Sequence, residues 1–284
     1  MKDVDNVFER PAAAFGTDQN GETVIAGDLH FLPLNSIDNE LDLVTGDAGR
    51  TYFNERFSLD KFLSESSRGD HSVLHIATHY AQRPGPLDSS FWIFGAPEDD
   101  RRVGAEALLA EWQPNNVQML TLSACSTALP SLVDRGEADD PDRRGFLSRE
   151  TIGVANTGAE SESFAGMALR PESEGGKDID TVVATVWDVY DASTAVFMRR
   201  FYLHLANPDY NRAQALRQAQ LDMLNNQLFE DEKERRLFGW LLGDEGQDNA
   251  TDPINFDNTR AAYGFSDYSH PHFWAPFIMM GKWR

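Results

Sequence analysis

Cysteine is almost absent: Cys125 is the only one in 284 residues. A single thiol excludes an internal disulfide and a zinc site of several thiolates, and it suits a reducing cytoplasm. Long apolar runs are missing as well. No stretch approaches the roughly 20 apolar residues of a membrane-spanning helix. Met1-Lys-Asp-Val-Asp-Asn-Val7 lacks the basic flank and apolar core of a signal peptide. Positive charge is scarce too, with 25 Lys plus Arg against 46 Asp plus Glu and a formal charge of -21. Such a balance argues against nucleic acid and anionic membranes as partners and favours a basic substrate or partner. The sequence has no internal repeat and no low-complexity tract. A cytoplasmic protein without cofactor or metal is expected.

What is present is an alternation of apolar runs and helical patterns in a chain of 31.8 kDa, enough to bury a full core. Ile37, Leu41 and Val44 mark a short amphipathic helix, and Ser58 caps a second over 59–67 with Leu59, Phe62 and Leu63 inward. Strands are predicted at 72–77, 89–95, 117–123, 180–187 and 273–281, and Pro276 places the last at a sheet margin or bulge. Helices are predicted over 105–112, 192–205 and 213–228. Strands alternating with helices give an α/β fold, a mostly parallel central sheet flanked by helices on both faces. Residues 1–31 are polar or broken by Pro and Gly and are expected to be a leader or linker remnant before a domain spanning 32–284. Three polar stretches interrupt that domain at about 129–157, 171–178 and 229–262, the last carrying the apolar cluster Phe238-Gly-Trp-Leu-Leu242. The first is expected either to act as a lid or to lack order.

Two of the apolar runs end in chemistry. Val117-Gln-Met-Leu-Thr-Leu-Ser-Ala-Cys125 ends in the thiol, and Ser72-Val-Leu-His-Ile-Ala-Thr-His79 ends in an imidazole. Ligands of parallel sheets bind beyond the carboxyl ends of strands. Neighbouring strands would hold these ends about 5 Å apart, and one intervening strand about 10 Å. A free thiol titrates near 8.5, and a nearby imidazole raises its thiolate fraction and can protonate a leaving amine. The backbone N–H groups of Tyr80 and Cys125 are available to hold an oxyanion. The plain alternative is an inert, buried cysteine, the commonest fate of a free one. The small residues Ser123, Ala124, Ser126, Thr127 and Ala128 around Cys125 suit a substrate's approach as well as packing. His75 shares a strand face with His79 but lies deeper, where a hydrogen-bonded structural histidine is the usual case. A zinc site from His75, His79 and Cys125 is disfavoured because His-xxx-His pairs ligands on a helix, and this segment reads as strand. His30, His71, His204, His270 and His272 suggest no role.

Six co-linear blocks carry a resemblance. They are His75-Ile-Ala-Thr-His79, Leu120-Thr-Leu-Ser-Ala-Cys-Ser-Thr-Ala128, Gly158-Ala-Glu-Ser-Glu-Ser-Phe164, Val183-Ala-Thr-Val-Trp187 with Asp191-Ala-Ser-Thr194, Ala215-Leu-Arg-Gln-Ala-Gln220 and His270-Pro-His-Phe-Trp-Ala-Pro-Phe277. Together, from about Leu32 to Arg284, they resemble the CHAT domain family, the caspase-like and separase-like cysteine peptidases of bacteria, often joined to tetratricopeptide repeats. The resemblance implies a caspase-like fold with His79 and Cys125 as a catalytic dyad and the Tyr80 and Cys125 amides as the oxyanion hole. Tyr80 departs from the glycine or other small residue common in relatives, and Asp188 from their usual proline. The resemblance further implies a basic residue on the acyl side of the cleaved bond. Asp188 and Asp191 follow the relevant strand as pocket candidates, with Glu160 and Glu162 as weaker ones. Asp191 has a plain role at a helix start, and Glu160 and Glu162 one in a first helical turn. In the loop after Cys125, Arg135, Arg143, Arg144 and Arg149 offer sites for activation cleavage. Partners expected on this reading are a protein or peptide substrate and a regulatory protein or fused repeat domain, within bacterial defence or regulated cell death. The alternatives are a non-catalytic signalling module on the same fold and a thiol acyltransferase.

Overall fold

Every residue of four strands, Ala12–Gly16, Val73–Ala77, Met119–Ser123 and Thr181–Thr185, is buried, as in parallel sheets covered on both faces. The computed structural model describes residues 11–26, 29–46, 49–83, 87–95, 101–124, 127, 163–174, 176–189, 191–229 and 268–283. In chain order the described strands are β1 (Ala12–Gly16), β2 (Val24–Ala26), β3 (Leu29–Phe31), β4 (Arg50–Phe53), β5 (Val73–Ala77), β6 (Tyr80–Ala81), β7 (Phe91–Ile93), β8 (Arg102–Gly104), β9 (Met119–Ser123), β10 (Thr181–Thr185) and β11 (Phe277–Gly281). The α-helices are α1 (Ile37–Thr45), α2 (Leu59–Ser67), α3 (Ala105–Glu111), α4 (Phe164–Leu169), α5 (Asp191–Leu205) and α6 (Arg212–Leu224).

The main sheet has six strands in the order β11-β10-β9-β5-β1-β4. All its pairs are parallel except β10 with β11. Period-2 alternation divides the core into two layers. Phe15, Leu74, Ile76, Leu120 and Leu122 face α2, α3 and α4, where Phe62, Trp112 and Phe164 fill the space. Ala12, Ala14, Val73, Met119 and Val183 face α1, α5 and α6, where Leu41, Phe197, Phe201 and Met223 pack. Local chemistry starts the helices where the sequence suggests: Ser58 Oγ accepts from the Lys61 amide, and Asn211 and Gln214 form a reciprocal capping box.

Two expectations are corrected. Residues 12–16, assigned to a leader, are an interior strand: β1 lies between β5 and β4, with Ala13, Ala14 and Phe15 wholly buried. Its alanines and glycine carry little strand propensity, yet small size is what the position demands. A Cβ on Gly16 would lie 2.7 Å from the Ala77 carbonyl oxygen and 2.7 Å from Ile37 Cγ2. The run at 89–95 contributes β7, which belongs to a separate antiparallel sheet β6-β7-β8. Pro276 does mark a margin, since β11 closes one edge of the main sheet. The loop at 129–157 and the cluster at 238–242 lie outside the described residues. No helix among the described residues is long and apolar enough to cross a membrane.

Candidate active site

β5 and β9 are direct neighbours, and Ala77 stands opposite Ser123 at their carboxyl ends. In sequence, His79 and Cys125 each follow this matched pair by two residues. Of the two spacings open to the strand ends, the structure therefore takes the shorter, a single strand-to-strand step of about 4.8 Å. Cys125 itself lies outside the described residues, as do Glu160, Glu162, Arg135, Arg143, Arg144 and Arg149.

His79 is partly buried and its ring is anchored at one nitrogen. Nε2 lies 2.7 Å from the Leu32 carbonyl oxygen. A carbonyl can only accept, so Nε2 carries the proton and Nδ1 is the unprotonated nitrogen of the neutral ring. Burial lowers the pKa below 6.5, with the Leu32 carbonyl opposing it, so the ring is neutral near pH 7. Phe31 packs beside the imidazole at 5.1 Å between ring centres. The backbone is pinned as well: the His79 carbonyl accepts from the Ile93 amide at 3.0 Å, and Thr78 Oγ1 donates to the Ile93 carbonyl.

Tyr80 pairs with Trp92 across β6 and β7. Because the bond at this end of the ladder joins His79 and Ile93, Tyr80 and Trp92 are a non-hydrogen-bonded pair, and the Tyr80 N–H points away from β7. Tyr80 is not among the residues with positive φ, so its backbone makes no demand for glycine. Its buried phenol packs on Trp92 at 4.5 Å, and burial pushes its pKa up to about 12.

On either side of Cys125 the chain is tied to the end of β10. The Thr185 amide donates to Thr127 Oγ1 at 3.1 Å, and Thr185 Oγ1 donates to the Ala124 carbonyl. Thr127 is wholly buried, and its carbonyl takes the Ala165 amide of α4. The sequence singled out neither Thr185 nor the Leu32 carbonyl. Thr185 lay within a quoted block, but a backbone carbonyl leaves no residue-type signal.

The two candidate pocket acids differ. Asp188 is exposed, near enough to His272 to oppose the burial that lowers that histidine's pKa. Asp191 opens α5, and its Oδ2 accepts the Ser36 amide at 2.8 Å. Burial, with Glu40 and Asp38 nearby, pushes its pKa up to about 7 against the pull of Ser36. His75 is a hydrogen-bonded core residue: Nε2 meets Glu40 at 2.9 Å and Nδ1 meets the Tyr202 hydroxyl at 3.1 Å, and that hydroxyl donates to Thr121. Among the described residues, no group of three His, Cys, Asp or Glu side chains could hold a metal ion.

No curated protein matches the sequence. Among solved structures, the chain is similar to the Arg-specific cysteine proteinase gingipain R, with a TM-score of 0.46 and 9% identity over 84% of this chain and 46% of that one. It is also similar to the complex of Porphyromonas gingivalis RgpB pro- and mature domains, with a TM-score of 0.45 and 10% identity over 84% and 47% of the two chains. The chain spans about half the length of these structures. The sequence also matches the CHAT domain over residues 3–154 and 176–282, a span that takes in every strand from β1 to β11 together with His79 and Cys125. The chain therefore belongs to the CHAT domain family.

Proposed function

We propose that this chain is a cysteine endopeptidase that cleaves a protein substrate through a Cys125–His79 dyad. The observation that carries the reading is the parallel register of β5 and β9, which brings the backbone leading to His79 beside the backbone leading to Cys125. Nδ1 of neutral His79 accepts the thiol proton as Cys125 Sγ attacks the carbonyl carbon. A C–S bond forms, and the carbonyl oxygen becomes an oxyanion facing the Tyr80 and Cys125 amides. Collapse breaks the C–N bond, and the amine leaves with the proton from Nδ1. Water then gives a proton to Nδ1 and its oxygen to the thioester carbon, and Sγ departs and is reprotonated.

The acyl-side residue is proposed to be Arg or Lys. Asp188 is the solvent-exposed acid of the two, whereas Asp191 is turned to the Ser36 amide. The charge of -21 favours a basic segment in the same sense. Service in bacterial defence or regulated cell death, and control by a regulatory partner or by cleavage after Arg135, Arg143, Arg144 or Arg149, follow from the family resemblance.

The test is labelling with a peptidyl acyloxymethyl ketone carrying arginine next to the warhead, alongside a fluorogenic peptide library. Labelling is expected to vanish in Cys125→Ala and to fall at least about 100-fold in His79→Ala. Asp188→Asn should weaken arginine peptides relative to neutral ones. Equal labelling of wild type and His79→Ala at pH 7, with no peptide cleaved, would favour the non-catalytic module instead.

A further inference from the structure

The carbonyl that holds His79 is itself held by a residue from the segment first expected to be a leader. Gln19 is almost wholly buried just beyond β1. Its Nε2 donates to the Leu32 carbonyl at 3.2 Å, while its Oε1 accepts the Val24 amide at 3.2 Å. Both partners are backbone groups of fixed polarity, so the amide has one acceptable orientation. His79 Nε2 and Gln19 Nε2 therefore converge on the same oxygen.

The backbone at Gln19 is built for this reach. Its φ is 62°, followed by 56° at Asn20, with 51° at Asn54 across the turn. Residues other than glycine seldom adopt such values unless their surroundings impose them. Here a polar knot imposes them. Thr17 Oγ1 accepts the Gln19 amide at 2.9 Å and donates to Asn54 Oδ1 at 2.8 Å. Asn54 Nδ2 in turn donates to Asp18 Oδ1 at 2.8 Å, and that oxygen also takes the Asn20 amide at 2.7 Å.

The Leu32 side chain cannot set the carbonyl, because it is 58% exposed. Pro33 restricts the Leu32 backbone to extended conformations, a range that still leaves its carbonyl a swing of roughly 40°. The far end of the segment is tied separately by Ser36 to Asp191. Losing the Gln19 amide should therefore let the carbonyl turn without releasing the loop.

We infer that Gln19 is a positioning residue that aims the Leu32 carbonyl, and through it fixes the tautomer and orientation of His79. Its catalytic consequence rests on the reading of His79 as the acid–base group, but the geometric claim does not. In wild-type protein labelled at His and Gln, an NOE is expected between the Gln19 Nε2 and His79 Nε2 protons, with the ring spectrum showing one tautomer protonated at Nε2. Gln19→Met, which removes the donor without adding charge, should yield mixed tautomers and slow Cys125 alkylation by iodoacetamide on the order of tenfold. Ile25→Ala, which changes a 65% exposed side chain of the neighbouring β2, should change neither. Absence of the NOE in wild type overturns the inference, even if Gln19→Met fails to fold. So does a folded Gln19→Met with unchanged tautomer populations. If the NOE and the tautomer shift appear but no variant alters thiol reactivity and no peptide is cleaved, the peptidase reading fails while the placement of His79 by Gln19 stands.

Discussion

A buried carboxylate behaves very differently with a partner and without one, and Glu40 shows why. Glu40 and His75 are both almost wholly buried and meet at 2.9 Å, so each depends on the other being present. His75→Ala is expected to lower stability by about 3–5 kcal/mol by stranding Glu40. The double variant Glu40→Leu/His75→Leu should recover most of that, as measured by urea unfolding; a double variant as unstable as the single one would mean that the pair is not the source of the loss. Thr185 invites a second substitution. Thr185→Val keeps shape and the backbone bond to Thr127 but removes the hydroxyl from the Ala124 carbonyl. We expect a cost of about 1 kcal/mol and a fall in Cys125 labelling of about tenfold or more, because the strand end next to the thiol loses an anchor. Labelling that tracks only the small stability change would count against that role. The residues themselves were unequally legible. His79 stood out because a polar ring ended an apolar run, and His75 because alternation put it deeper on the same face. Gln19 and the Leu32 carbonyl did not, since one is a common polar residue in an unpromising segment and the other is main chain.

Among the elements, β1 is the one whose consequences are largest. It supplies hydrogen bonds to β5 on one side and β4 on the other, and the turn after it carries Gln19. A chain begun at residue 32 would lack an interior strand of the sheet and expose the edge of β5, which leads to His79. Such a chain is expected to be unfolded or aggregated by circular dichroism and light scattering, and a monomeric, cooperatively melting product would refute this. Gly16→Ala tests the same packing more gently. Its new methyl meets the Ala77 carbonyl, a backbone atom with little freedom to retreat, and the expected cost is about 1–3 kcal/mol. The amphipathic helices α1 and α2 were readable because apolar spacing and, for α2, a serine cap agree, and β5, β9 and β10 because their runs are apolar or β-branched. β1 was not, because a run of alanines has neither the alternation nor the branching that marks a strand. Its identity is set by the closeness of its neighbours, which only the assembled sheet reveals. The antiparallel sheet β6-β7-β8 escaped notice for another reason: β6 and β8 are too short to show a period.

For the whole molecule, the titrating groups around the candidate site pull stability in opposite directions with pH. His79 and His272 have pKa values lowered from 6.5 by burial. In the folded state they bind fewer protons than in the unfolded chain, so their contribution is present above about 6.5 and is lost as pH falls. Asp191 is the reverse case, raised from 3.8 to about 7. Its folded form holds a proton that the unfolded chain has released, so its contribution is full below about 4 and is lost as pH rises toward 7. Between these limits the two effects offset one another and flatten the profile. Asp191→Asn removes the falling component while its amide oxygen can still accept the Ser36 N–H. Relative to wild type, this variant should gain stability between pH 5 and 7, seen as a steeper upward slope of melting temperature with pH. His79→Gln should do the opposite and reduce the loss on the acid side. Because both arguments concern groups shielded from solvent, the difference between variant and wild type should survive added salt, whereas the repulsion arising from a net charge of -21 should be screened. Profiles that stay parallel across pH 5–7 would show that Asp191 carries no raised pKa, and its bond to Ser36 would then be that of an ordinary ionised carboxylate.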